Sequence, residues 1–335
     1  MRTGRILAIC LLATGLAPGT WVRTPIAPAG PVTGVTVTPL ASRAGLSGAI
    51  EVTGAWEIES PHPFFGGFSA MVGLDDAALL IGSDRGWMMR LPLPPPLAQG
   101  GPRSADLEMI DYPRSLGLER RLFDLESMAR DPQTGTLWTA YEGANAIVRD
   151  AGASVPQRPD TVRRDPIQMQ DWSINSGPET MVRLPDGRFI MIAEGKDDVP
   201  GKTRPGLLFA TDPVADTKPI AFRFSGPDDY SPVDATALPD GRVLILLRRV
   251  RYAVPVRFDA LLMIADPNAI REGKVWTGSE ITRFAAPDYG ENFEGVAFVA
   301  HPDTDGEAGS VYVIADDNLS VFQRTLLLRL AWPSG

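Results

Sequence analysis

Five segments of this chain repeat one pattern, and that repetition constrains the fold more than any other feature. They are Gly66–Gly86 (GGFSAMVGLDDAALLIGSDRG), Phe123–Gly143 (FDLESMARDPQTGTLWTAYEG), Ser176–Gly195 (SGPETMVRLPDGRFIMIAEG), Ser231–Arg249 (SPVDATALPDGRVLILLRR) and Asn292–Asn318 (NFEGVAFVAHPDTDGEAGSVYVIADDN). Each opens on a polar anchor, passes a small residue or Thr, and enters a short apolar strand. A turn follows (LDD, DPQTG, LPDG, LPDG, HPDTDGEAG), then a second apolar strand ending in polar residues. The anchors are Ser69, Glu126, Glu179, Asp234 and Glu294, spaced by 57, 53, 55 and 60 residues. A period near fifty with several short strands per unit predicts an all-β fold, a β-propeller.

The remainder of each unit fits four strands. GLLFATDP and PIAFRFSGP follow the third segment; ALLMIADP and SEITRFAAP follow the fourth. The fifth has a third strand, TLLLRLAW, and then the chain ends. GAIEVTGAWEIES, Gly48–Ser60, is predicted to supply the missing outer strand. Pairing the N- and C-terminal strands closes the ring and removes two exposed sheet edges. The expectation is five four-stranded blades, or six if Thr33–Ser60 supplies more than one strand. The stretches Leu93–Leu122 and Ala151–Asn175 lack clear strand patterns and are read as loops over a face.

The N-terminus has the layout of a secretory signal: Arg2 and Arg5, an uncharged apolar run Ile6–Ala17, then Pro18 and Gly19. An uncleaved anchor is the alternative. The domain reading is residues 1–20 signal or anchor, 21–47 a Pro/Gly-rich linker, and 48–335 the propeller. The only cysteine, Cys10, lies in the signal, so cleavage leaves no thiol for a disulfide, nucleophile or metal site. The expected location is periplasmic or extracellular, with membrane attachment if the anchor persists. The formal net charge of −9 becomes −11 when Arg2 and Arg5 leave. That balance excludes nucleic acid as a partner, because backbone phosphates need a basic footprint. A monomer is expected.

In a propeller the first strand of each blade lines the central channel, so the anchors meet in one ring. The second strand returns to the same face and brings Asp84-Arg85, Glu142, Glu194, Arg248-Arg249 and Asp316-Asp317-Asn318. Like charges a few ångströms apart cost on the order of a few kcal/mol per pair. Such a ring persists only with protons or a cation among its members. Oxygen donors of irregular geometry favour Ca²⁺. Transition metals are disfavoured, because the chain has only His62 and His301. His301 falls on the opposite face, whereas His62 is near enough in sequence to reach the ring. The predicted metal ligands are Glu126, Glu179, Asp234, Glu294, Asp316 and Asp317. An acid at an anchor can instead cap backbone N–H groups. Ser69 is not a nucleophile elbow, because Met71 stands where Gly is needed.

The set GGFSA, DLESM, SGPET, VDAT, NFEG and ADDN resembles the phytase-like family, also described by an esterase-like activity of phytase, from about Gly66 to Leu330. The resemblance implies a β-propeller of the calcium-dependent kind, export, and hydrolysis of phosphoesters or esters. Arg248, Arg249 and Arg251 depart from it, standing where the other units place acids.

Three functions are compatible with these residues. The first is a calcium-assisted hydrolase of a small-molecule phosphate or carboxylate ester. Glu179 or Glu294 is its general base, and Arg85, Arg248 and Arg249 hold phosphate oxygens. The second is a lactonase of the gluconolactonase type, which does not need the arginines. The third is a non-catalytic envelope propeller with structural calcium, meeting a partner through Trp172, Tyr112, Tyr230 and Tyr289.

Overall fold

Short second strands such as Phe189–Ile192 are apolar at every position, which requires cover on both faces. The computed structural model supplies it. It describes residues 30–41, 47–48, 50–74, 78–93, 101–112, 124–151, 161–173, 175–195, 203–215, 218–253, 256–286, 289–304, 307–318, 320 and 323–333. Phe189 and Met191 face one hydrophobic cluster, and Ile190 and Ile192 face the next. This is the two-sided alternation of a strand buried in a stack of sheets.

Each repeat is an antiparallel meander. The first is Phe68–Leu74, Ala78–Ser83, Trp87–Pro92 and Arg103–Asp111. The second is Leu125–Arg130, Leu137–Tyr141, Ala146–Asp150 and Thr161–Arg164. The third is Thr180–Arg183, Phe189–Ile192, Arg204–Phe209 and Ile220–Phe224. The fourth is Ser231–Ala237, Val243–Arg251, Arg257–Ala265 and Ser279–Phe284. The fifth joins Asn292–Thr304, Glu307–Asp316 and Leu326–Pro333 to Val52–Glu59, so the N-terminal strand is its outer edge.

The first strands touch in cyclic order, and the fifth returns to the first. A separate apolar cluster fills each of the five gaps between neighbouring meanders. This is the layout of an all-β propeller. Short pairings also tie the outer edges. Val275–Trp276 adds to Ile220–Phe224, and Ser47–Gly48 adds to Ser279–Phe284.

Three expectations change. Val32–Pro39, inside the stretch read as a linker, is a strand paired with both Val52–Glu59 and Arg103–Asp111, so it fuses the first and last meanders into one sheet. Arg103–Asp111 and Thr161–Arg164 are outer strands within stretches read as loops. Thr161–Arg164 buries little, and an edge strand that buries little carries no apolar alternation to read. The proposed signal, Cys10 and the start of the linker lie outside the described residues. Among the described residues no helix is long and apolar enough to cross a membrane.

Candidate functional site

The carboxylates gather because of a bulge repeated at the start of the first strands. Pairing with the second strand skips one residue between Phe68 and Ala70, Leu125 and Ser127, Pro232 and Asp234, and Phe293 and Gly295. A bulge leaves its extra residue unpaired and re-aims the side chain. The bulged residues are Ser69, Glu126, Val233 and Glu294. Glu179 holds the same place in the third meander, before Thr180 opposite Ile192. A second tier comes from the ends of the second strands: Asp84, Glu142, Glu194, Arg248 and Asp316. The amides of Asp84, Glu142 and Glu194 bond the carbonyls of Gly67, Asp124 and Gly177. Arg248 and Asp316 pair with Ser231 and Asn292 at the same level.

The two tiers interlock around Arg248. Its Nη1 donates to Glu294 Oε1 and, at 3.0 Å, to Asn292 Oδ1. Its Nη2 donates to Glu194 Oε1 at 3.0 Å. Asn292 Nδ2 donates to Glu294 Oε1 at 2.8 Å. Glu142 Oε1 accepts the Gly177 N–H at 3.0 Å, and Asp316 Oδ1 accepts the Phe68 N–H at 3.1 Å. On one flank, carboxylate oxygens of Asp124, Glu126 and Glu142 all lie within 4.8 Å of one another.

Burial and mutual repulsion push Glu126, Glu179, Glu294, Glu142, Asp84 and Asp316 toward their protonated forms. Burial raises Glu126 well above its ordinary value, and Glu179, Glu294, Asp124 and Glu142 add to it. Burial and Glu194 raise Glu179, against Arg248. Glu294 is raised by burial although Arg248 opposes the shift. Glu142 is pushed to about 7 by burial, partly offset by the Gly177 N–H. Asp84 reaches about 6 through burial and Asp124, and Asp316 about 8 through burial and Glu294. Burial disfavours the charge on Arg248, but Glu294, Glu194 and Glu179 outweigh it and hold the guanidinium charged.

These shifts fix a pH dependence. Each raised carboxyl binds its proton more tightly folded than unfolded, so folding takes up protons in this range. Stability without metal is therefore greatest below the ordinary carboxyl values. It falls as pH rises from about 4.5 through about 8, where Asp316 titrates. Urea melts in chelator at pH 5 and pH 8 are expected to show the loss at pH 8, with Ca²⁺ restoring it there. Equal stability at both pH values argues against the clustered charges.

The predicted residues are distributed as follows. Glu126, Glu179, Glu294, Arg248 and Asp316 come together. Asp317 stands at the edge, where its charge helps raise Asp316. Asp234 does not join them. Its oxygens accept the N–H groups of Ala235 and Val296, each at 2.8 Å, and of Met71. It is completely buried and ties three first strands together. The fourth bulge residue is Val233, so the anchor register slips by one and Asp234 takes the place of Ser127 and Thr180. Arg249 also stands apart, because successive side chains of a strand face opposite ways. It pairs with Asp259 at 2.5 Å and lies over the Tyr230 ring. Arg85 is exposed at the rim, donating to the Pro63 carbonyl at 3.2 Å.

His62 is packed by Phe64 and Trp87, its Nδ1 accepting the Phe64 N–H at 3.2 Å. Ser69 donates to the Leu125 carbonyl. Tyr112, Trp172, Tyr230 and Tyr289, read as partner-facing aromatics, are all buried in the core.

Sequence reasoning missed Asp124 and Asn292. Asp124 has φ of 73°, a left-handed conformation that strains a side chain. The same place in the first repeat is Gly67, φ 66°, where an added Cβ would lie 2.3 Å from Asp84 Oδ1. An acid where a sister repeat needs glycine was the available signal. Strain of this kind concentrates at functional sites.

No curated protein is similar to this chain in sequence. Among solved structures, it is similar to the WD40 β-propeller domain of Doa1, at 11% identity over 85% of this chain and 97% of that one, TM-score 0.39. It is also similar to the RRP9 WD40 repeats, at 8% identity over 85% and 100%, TM-score 0.42. A luciferin-regenerating enzyme matches at 10% identity over 82% and 83%, TM-score 0.40. The family model for phytase-like proteins, described as esterase-like activity of phytase, matches residues 63–319. That span contains both tiers of the ring, and the chain belongs to the phytase-like family.

Proposed function

We propose that this protein is an exported, five-bladed propeller that hydrolyses phosphate or carboxylate esters of small molecules with the help of Ca²⁺. The convergence of Asp124, Glu126 and Glu142 oxygens within 4.8 Å carries the reading, beside a half-buried guanidinium. The donor set is all carboxylate oxygen, which suits a hard cation of irregular geometry. Asp124, Glu126 and Glu142 would hold the ion, with Glu179, Glu294 and Asp316 completing the negative field. When bound, it supplies Lewis acidity toward an ester oxygen and a water of lowered pKa.

The chain's own groups supply the rest. Three of the five N–H donors of Arg248 serve Glu194, Glu294 and Asn292. The others orient an anionic substrate oxygen. Glu179 sits among the acids and, in its ionised form, accepts the proton of the attacking water. Glu294, held by Arg248 and Asn292, positions that guanidinium. Arg85 at the rim meets the distal part of the substrate.

The charged-then-apolar N-terminal segment supports export, and the acidic mouth is unsuited to nucleic acid. A monomer remains the working state.

The test is turnover of p-nitrophenyl phosphate and p-nitrophenyl acetate with and without chelator. Chelation is expected to abolish turnover, Ca²⁺ to restore it, and Glu179→Gln to lower it by about 10²–10⁴-fold. Activity indifferent to both treatments rejects the proposal. Turnover confined to lactones assigns the same ring to lactone opening.

A further inference from the structure

Beyond the ring, the first strands run on and line a cavity of about 510 Å³, open to solvent on one side, at their far ends. All five strands contribute to its wall, through Gly73, Ala129, Val182, Ala237 and Ala300. Four of these five strands place a side chain no larger than a methyl here, beside larger ones such as Met71, Met128 and Met181. The room is limited even so: a Cβ on Gly73 would meet Val299 Cγ2 at 3.2 Å and the Phe298 carbonyl at 3.3 Å. The first turns supply Pro132, Pro185 and Pro239, whose ring nitrogens donate nothing.

The polar side chains on this wall have partners within the protein. Thr236 Oγ1 accepts the Phe298 N–H at 3.2 Å. Arg183 pairs with Asp131 at 3.2 Å, and Arg130 is engaged as well. The volume lies within the roughly 300–1,000 Å³ typical of small-molecule sites, which are lined mainly by apolar groups.

We infer that this cavity is a binding site for an uncharged apolar or aromatic small molecule, at the end of the channel away from the carboxylates. The inference does not depend on the hydrolase reading, because none of the ring acids lines this wall.

The experiment is a fluorescence titration of the full chain with N-phenyl-1-naphthylamine, an uncharged aromatic probe, in Ca²⁺ and in chelator. One saturable site per chain is expected, of equal affinity in both buffers. Ala237→Trp and Val72→Trp, which fill the cavity from different strands, are each expected to weaken binding by about tenfold or more. Melting curves identify any variant that fails to fold, and a structure of the wild-type complex places the probe directly. Non-saturating fluorescence, dependence on Ca²⁺, affinity unchanged in both folded variants, or a probe located outside the cavity overturns the inference.

Discussion

An Arg248→Met variant is expected to lose about 1–3 kcal/mol of stability in chelator at pH 8, the usual cost of leaving charged hydrogen-bond partners unpaired in a partly buried site. Arg248 is the one base in either tier, and it touches Glu194 and Glu294 while opposing the repulsion on Glu179. Methionine matches much of its length but leaves the acids with no counter-charge. The loss is expected to shrink at pH 5. Without Arg248, Glu179 and Glu294 bind protons still more tightly, so they repel less there. Ca²⁺ is expected to recover part of the loss at pH 8 by standing in for the missing positive charge. Urea melts at the two pH values decide the matter. A loss below about 1 kcal/mol, in the range of an ordinary surface ion pair, or an equal loss at both pH values, removes Arg248 from the centre of the ring.

The second large effect has opposite signs for stability and for function. Asp124→Gly is expected to make the metal-free protein more stable by about 1 kcal/mol. It relieves a left-handed strain of roughly 1–2 kcal/mol, and the added backbone freedom of glycine costs about 0.5–1 kcal/mol. It also removes a charge that raises Glu126, Glu142 and Asp84. The same change deletes one of three clustered oxygen donors. Ca²⁺ affinity is expected to fall on the order of a hundredfold, since charge count sets affinity at such sites. The readout is melting temperature against Ca²⁺ concentration. The wild type should start lower and climb; the variant should start higher and stay flat. A variant that melts lower in chelator, or that climbs as the wild type does, shows that Asp124 is held for the fold alone.

Parts of the candidate site were hidden from a reading of repeats and spacing. Glu126, Glu179 and Glu294 were legible because each stands at the head of a repeat, and a propeller brings equivalent positions to one axis. Asp234 looked equivalent by spacing and is not. A single-residue bulge decides which residue of the pair Val233-Asp234 leaves the ladder, and no spacing rule detects a slip of one. Arg249 misled for a related reason, since RR reads as two charges but a strand shows its neighbours only one of them. The aromatics Tyr112, Trp172, Tyr230 and Tyr289 lie outside the apolar runs, so nothing local marked them as core.

The sequence by itself determined the repeat, the strands with two buried faces, the closure of the last meander by Val52–Glu59, and an acidic mouth. These follow from local periodicity and from the need to bury what is apolar. Tertiary structure alone decided the bulge register, the strand Val32–Pro39 that welds the first and last meanders, the placement of Arg248 between Glu194 and Glu294, and the left-handed Asp124. Each of these depends on pairings between distant segments, whose energies are settled only when the whole ring has closed.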